Sequence, residues 1–335
     1  MKRFDYGRSR LAMQRSLLAA TALAALAATG NALGQSYPDK PITLFVGFAP
    51  GGAADSVARS VAEEMSKSLG QRVIIDNKAG ASGNIATTTV LSNPADGYSL
   101  LFAAINLATN PSLGGVKYNP EKDLTMVSQM TSVPVVMVVP ANSKYASVND
   151  LIRFAKANDG ALKAASGGIG TSSHLAMELL SRAEGFKYLH IPFKGGALAN
   201  QSILSGDVDT MFDLMSGALK GMVDAGRMKP LVVMQDTRVE SLPNVKSARE
   251  LGLPATAYIR SWQGIAVRSG TPKPVVDKLH ASVVAALKSP AVVARIKGLG
   301  SDVITSAKPD DFQRLYLEEL KRWTALITQA GIKAE

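Results

Sequence analysis

The chain has 335 residues, no cysteine, and a formal net charge of +10 from 37 basic and 27 acidic residues. Hydrophobic residues make up 46% and charged residues 19%, a balance that fits a folded globular chain of up to two domains and excludes a disordered one. Without cysteine there are no disulfides and no lipidated cysteine, and the lysines and arginines are scattered without a basic run or interleaved aromatics, which argues against a nucleic-acid surface.

Residues 1–34 read as a targeting segment. Lys2, Arg3, Arg8, Arg10 and Arg15 form a basic start, and 17–28 is apolar apart from Thr21. That run falls short of the roughly 20 residues needed to span a bilayer. Ala32 and Gly34 place small residues where a signal peptidase reads, so cleavage is expected after Gly34. An anchor helix is the alternative reading, and Met13 can serve as the true start. Removing 1–34 takes away +4 and leaves +6. A cysteine-free exported chain with no second candidate span is expected in the periplasm.

After an extended lead-in at 37–41, the apolar run 42–46 predicts a buried strand. Residues 55–69 predict an amphipathic helix with Val57, Val61, Met65 and Leu69 on one face. Between them lies Gly47-Phe48-Ala49-Pro50-Gly51-Gly52-Ala53-Ala54. A strand that ends in such a turn and opens a helix leaves backbone N–H groups without intrahelical partners, and these suit an anion. A plain strand-to-helix turn is the other reading. Asp55 is expected at the N-cap, accepting the first helical N–H bonds.

The pattern repeats. Strand 72–76 runs into a second glycine-rich loop, 77–84, and helix 85–91. Strand 98–104 follows a turn at 93–97, and its end, at Asn106, is expected beside the first two loops. The run 133–140, with prolines near both ends, reads as a strand passing into a second domain. Ser147 and Asp150 form a capping box for a helix to about 158. Strand 162–165 leads to a third loop, 166–174, and helix 175–183; strand 186–191 leads to a fourth, 192–196, and helix 197–205. Strand 208–213 ends at Asp213, and another strand covers 231–234. Residues 262–267 read as the return crossing, followed by helices 271–288 and 290–299, a strand at 302–305 and a closing helix at 309–330. Strands alternating with helices predict an α/β fold. The expected division is 35–133 with 265–335 as one domain and 134–264 as the other.

Enzyme signatures are absent at the loops. Ala53-Ala54-Asp55 stands where a phosphate-binding loop needs Lys and Ser/Thr, Ser173 where a dinucleotide fingerprint needs its third glycine, and Asn84 where a nucleophile elbow needs its last. The three histidines, His174, His190 and His280, lack metal-ligand spacing. No catalytic residue, metal or cofactor is expected. What remains is four donor-rich loops able to hold a carboxylate without an arginine clamp. Thr171 and Ser172 either cap their helix or donate to a ligand. His174 either orders its loop or touches a ligand, and Lys194 either pairs with an anion or is solvated. Phe48 and Phe193 either wall a cleft or fill core, while Trp262 reads as hinge packing.

Taken in order, several stretches resemble the extracytoplasmic solute receptors of tripartite tricarboxylate transporters, the Bug or TctC-like receptors. They are Tyr37-Pro38-Asp39-Lys40-Pro41-Ile42, Pro50-Gly51-Gly52 with Asp55 and Arg59, Leu69-Gly70-Gln71, Asp76-Asn77-Lys78-Ala79-Gly80, Pro94-Ala95-Asp96-Gly97-Tyr98, Gly170-Thr171-Ser172-Ser173-His174-Leu175 and His190-Ile191-Pro192-Phe193-Lys194-Gly195. The resemblance implies a two-domain periplasmic binding protein of type II-like fold, each domain a mixed sheet flanked by helices, closing on a carboxylate in the cleft. It implies that the loops at 48–55, 81–84, 168–174 and 193–195 line that cleft. The expected ligand-binding residues are Phe48, Gly51, Gly52, Asp55, Ala81, Ser82, Asn106, Gly168, Gly170, Thr171, Ser172, His174, Phe193, Lys194, Gly195 and Asp213. Phe193 stands where tyrosine is common in the family, which makes the cleft more apolar. The implied partners are a small organic acid and the membrane subunits of a permease, with the receptor a monomer. Docking on a sensor kinase is one alternative function; a secreted hydrolase using Ser82 or Ser172 with His174 is another.

Overall fold

Strand β1 (Ile42–Val46) forms where five consecutive residues are apolar or β-branched, and four of them are buried. The computed structural model that contains it describes residues 37–114 and 116–332; the expected signal segment lies outside the described residues. The described residues from 40 onward form one compact unit. In chain order, β1 is followed by α1 (Ala53–Leu69), β2 (Val73–Asn77), α2 (Asn84–Ser92), β3 (Ser99–Ala104), α3 (Asn106–Leu113) and the long β4 (Leu124–Pro140). Next come α4 (Val148–Ala157), β5 (Lys163–Ser166), α5 (Ser172–Glu184), β6 (Leu189–Pro192), α6 (Gly196–Ser205), β7 (Thr210–Leu214), α7 (Gly217–Asp224) and β8 (Met228–Val233). The chain closes with β9 (Arg260–Arg268), α8 (Lys273–Lys288), α9 (Pro290–Gly298), β10 (Asp302–Val303) and α10 (Pro309–Ala330). Among the described residues no single helix is long and apolar enough to cross a membrane.

The strands run β2-β1-β3-β9-β4-β7-β5-β6, with β8 and β10 also paired to β4. Strands β2, β1 and β3 are parallel, as are β6, β5 and β7, while β4 and β9 run antiparallel to their neighbours. Strand β4 serves both halves. From Leu124 to Pro134 it pairs with β9, and from Val135 to Pro140 with β7 and β8. Pro134 stands at the switch, where a missing N–H removes one ladder donor as the strand changes partners. Register shifts between Met126 and Ser128 and between Gln129 and Thr131 bend it further. Residues 133 and 135–139 are fully buried because helices cover both faces of the sheet there.

Five features depart from the sequence expectations. Helix α1 begins at Ala53 with Gly52 as N-cap, so Asp55 is the third helical residue, not the cap. Helix α3 was not expected, because two asparagines and Pro111 depress helix propensity; packing against α10 stabilises it. Residues 124–132 and α7 also went unpredicted. In the first, the bulges break the alternation that would mark a strand. The predicted strand 302–305 shrinks to Asp302–Val303.

Trp262 has the packing role expected of it. Its ring meets Phe312 and Tyr316 of α10 edge-on, and its Nε1 donates to Glu319 Oε2 at 3.2 Å. Trp323, fully buried, donates to the same oxygen at 2.8 Å. One carboxylate oxygen thus satisfies two indoles and ties α10 to the crossing strand. Glu319→Ala is expected to cost about 1–3 kcal/mol by leaving buried donors unpaired, whereas Glu319→Gln keeps an acceptor and most of the stability; urea unfolding of the three proteins is the check.

Candidate ligand-binding cleft

The registers place the four glycine-rich loops together. Val46 pairs with Asn77 at the carboxyl ends of β1 and β2, so the loops that follow leave side by side. A Cβ on Gly47 would lie 2.6 Å from Gly83 Cα, so the two loops touch through positions that tolerate no side chain. In the other half, β5 and β6 pair in parallel up to Ser166 and Pro192, which brings the third and fourth loops together.

The first loop is braced from behind. Asp55 Oδ2 accepts from Gly51 N at 3.0 Å and Arg59 Nε at 2.9 Å, while Asn77 Nδ2 donates to Asp55 Oδ1 and to the Phe48 carbonyl. Burial alone would push the Asp55 carboxyl up, but Arg59, Gly51 and Asn77 together hold it below the usual range. The second loop carries Ala81 and Ser82 at φ +45° and +51°, a strained backbone for residues other than glycine. Asn106 and Asn110 fix it by donating to the Ser82 carbonyl at 2.9 and 3.0 Å. In the third loop Thr171 Oγ1 donates to the Gly168 carbonyl at 2.7 Å, and Gly170 N donates to His174 Nδ1 at 3.1 Å. The His174 and His190 rings stack 4.1 Å apart, and His190 Nε2 meets Ser166 Oγ at 2.7 Å.

Two hydrogen bonds clasp the halves across the cleft. Thr109 Oγ1 donates to the Gly170 carbonyl at 2.6 Å, and Ala49 N donates to the Lys194 carbonyl at 3.2 Å. Between the halves lies a cavity of about 60 Å³, lined by residues that include Phe48, Gly52, Asn106, Thr171, Ser172, Gly195 and Asp213. A second cavity, of about 190 Å³, is lined by Ala81, Ser82, Gly168, Phe193 and Lys194 among others, and Phe48 and Gly167 line both. Of the sixteen predicted site residues, Gly51, Asp55, Gly170 and His174 line neither. Gly51 and Asp55 brace the first loop, Gly170 receives the clasp and His174 orders the third loop.

Sequence reasoning missed Ser261 and Gln263, which also line the first cavity. Two polar residues two apart in an apolar strand share one face, and that was the available signal. Thr131 Oγ1 donates to Gln263 Oε1 at 3.0 Å. Three buried atoms of the lining, Asn106 Oδ1, Ser172 Oγ and Ser261 Oγ, have no hydrogen-bond partner. The first turns of α1, α5 and α6 supply further N–H groups from lining residues. Asp213 is the single charged side chain of this lining, and burial pushes its carboxyl up to about 6 against the donors Asn200 and Leu214 N. Neither Ser82 nor Ser172 bonds to a histidine, and among the described residues no cluster of three His, Asp or Glu is placed to hold a metal.

Two lobes joined by crossing strands, closed over a cavity at the carboxyl ends of their strands, define a solute-binding protein. The family model for the tripartite tricarboxylate transporter family receptor matches residues 57–332, and the chain belongs to that family. Solved structures agree. The periplasmic binding protein BugD is 35% identical, with a TM-score of 0.84 over 89% of this chain and all of its own. MatC from Rhodopseudomonas palustris, solved with bound malate, is 31% identical, with a TM-score of 0.82 over 87% of this chain and all of its own. Rpa4515 of the same organism, solved with adipate, is 31% identical, with a TM-score of 0.84 over 89% of this chain and 99% of its own.

The stacked histidines make stability depend on pH. Burial holds His174 down to about 4; burial, then the facing His174 ring, hold His190 down to about 3. Both groups bind protons more readily unfolded than folded, so their contribution is present above about pH 6.5 and lost as pH falls toward 4. At pH 5 that amounts to about 2 kcal/mol per histidine, while Asp213, with its folded pKa raised, returns about 1 kcal/mol in the same window. Unfolding free energy should therefore fall between pH 7 and pH 5. Urea titrations should show the fall cut to about a third in His190→Gln.

Proposed function

We propose that the mature chain is a periplasmic receptor that closes on a small carboxylic acid and delivers it to a tripartite tricarboxylate-type permease. The observation that carries this is the trio of buried, unpartnered polar atoms, Asn106 Oδ1, Ser172 Oγ and Ser261 Oγ, on one cavity lining. Each such group left unmet costs about 1–3 kcal/mol, so the cleft is built for a polar ligand or for waters that bridge to one. The helix starts around it favour negative charge, and no lysine or arginine lines the first cavity. Malate and adipate in two relatives are acids of the matching kind.

The residues lining the two cavities are the proposed contacts, and Gly51, Asp55, Gly170 and His174 position them. Closure is a hinge motion about the β4 and β9 crossings. The proposed domains are 35–133 with 265–335, and 134–264; the pairing of Arg260 with Pro134 in the first sheet favours moving the second boundary to about 260. The receptor acts as a monomer, exported by its first 34 residues.

Thermal-shift and calorimetric screens of residues 35–335 against mono-, di- and tricarboxylates test the reading. An acid at about 100 times its Kd should stabilise the fold by about 2.7 kcal/mol. A cooperative melt that no acid shifts would count against it. Thr109→Val removes the 2.6 Å clasp to Gly170, and should weaken the acid found by about fivefold, mostly through faster release on stopped flow.

A further inference from the structure

Asp213 is at odds with a site built for anions. It is 6% exposed and lines the first cavity, where every other lining side chain is neutral. Its Oδ1 accepts from Leu214 N at 2.8 Å and its Oδ2 from Asn200 Nδ2 at 2.8 Å, and no cation pairs with it among the described residues. An ionised carboxylate has about four acceptor sites, so two bonds leave about half of them open. The start of α6 is shaped to admit the group, since a Cβ on Gly196 would lie 2.6 Å from Asp213 Oδ1. The lining is therefore two-sided. The first turns of α1 and α5, with Ser172, offer donors, and Asp213 and the unpaired Asn106 Oδ1 offer acceptors.

We propose that the ligand carries a hydrogen-bond donor on its carbon chain, an ammonium or a hydroxyl group, and that Asp213 selects for it. This deepens the carboxylate-receptor reading and rests on it. A plain acid presents only acceptors to Asp213, so its approach sets acceptor against acceptor. An amino acid or hydroxy acid sends its carboxylate to the helix starts and its donor to Asp213, and the ammonium version is charge-assisted. Because burial pushes the Asp213 carboxyl up to about 6, the contrast is cleanest at pH 8, where the group is ionised.

The test is calorimetry at pH 8 with matched acids: aspartate, malate and succinate; 2-aminoadipate, 2-hydroxyadipate and adipate; phenylalanine, phenyllactate and phenylpropionate. In the set that binds, the amino or hydroxy member should bind at least about tenfold tighter than the plain acid, and whichever of the two wins names the donor. In Asp213→Asn the gap should shrink below about threefold. Gly196→Ala, which displaces the same carboxylate, should shrink it likewise and serves if the first variant does not fold. A plain acid that binds wild type as tightly as its substituted partners overturns the proposal, as does a gap that both folded variants preserve. If no acid of any set binds the folded protein, the carboxylate-receptor reading falls and takes the proposal with it.

Discussion

The backbone of one strand hydrogen-bonds in two sheets, and the rest of the molecule depends on that sharing. Strand β4 gives its first eleven residues to β9 and its last six to β7 and β8. A strand is stiff along its length but bends at bulges, so this arrangement sets the two halves in line across the switch at Pro134. It also decides where the cleft falls. The parallel strands on either side of the crossing end toward each other, so all four glycine-rich loops converge on one space. The clasp from Thr109 to Gly170 and from Ala49 to Lys194 shows how little is needed to close it.

Electrostatically the cleft works with partial charges rather than with ion pairs. Three helix starts and a few hydroxyl and amide groups meet there, while the ion pair of Asp55 with Arg59 braces the first loop and lines neither cavity. Arg59 lies half outside the protein, so its charge serves the shape of the loop more than the ligand. The lining of the first cavity thus offers neutral polar groups and a single acid, Asp213.

Much of this was legible in the chain. Strand β1 and helix α10 fall at the predicted limits because one is a short β-branched run between turn residues and the other a long amphipathic repeat opened by Pro309. Ser147 is the expected N-cap, its Oγ accepting from Asp150 N at 3.2 Å, but the return bond to the Asp150 carboxylate comes from Ala146 N rather than from Ser147 N. The loops were legible too, since glycine beside small hydroxyl residues leaves few structural options. What escaped was whatever depends on distant partners. Helix α3 exists because α10 covers it, and Asp55 lies inside its helix because Asn77, on another strand, and Arg59 compete for its carboxylate. Ser261 and Gln263 belong to the cavity because β9 lies beside β4, a pairing that no local pattern announces.

That pairing also bears on how the chain reaches its fold. Strand β9 lies between β3 and β4, yet the whole second lobe is synthesised before it. Until β9 arrives, β3 and the first part of β4 each have an open edge, and the second lobe hangs as a loop whose ends have not met. Closing so long a loop carries an entropic cost, and pairings of this range form slowly. The order of events follows from the topology: the second lobe can assemble on its own parallel strands, and the first is sealed last, by the strand that returns from it. The strand that returns from the second lobe is thus a late seam of the fold.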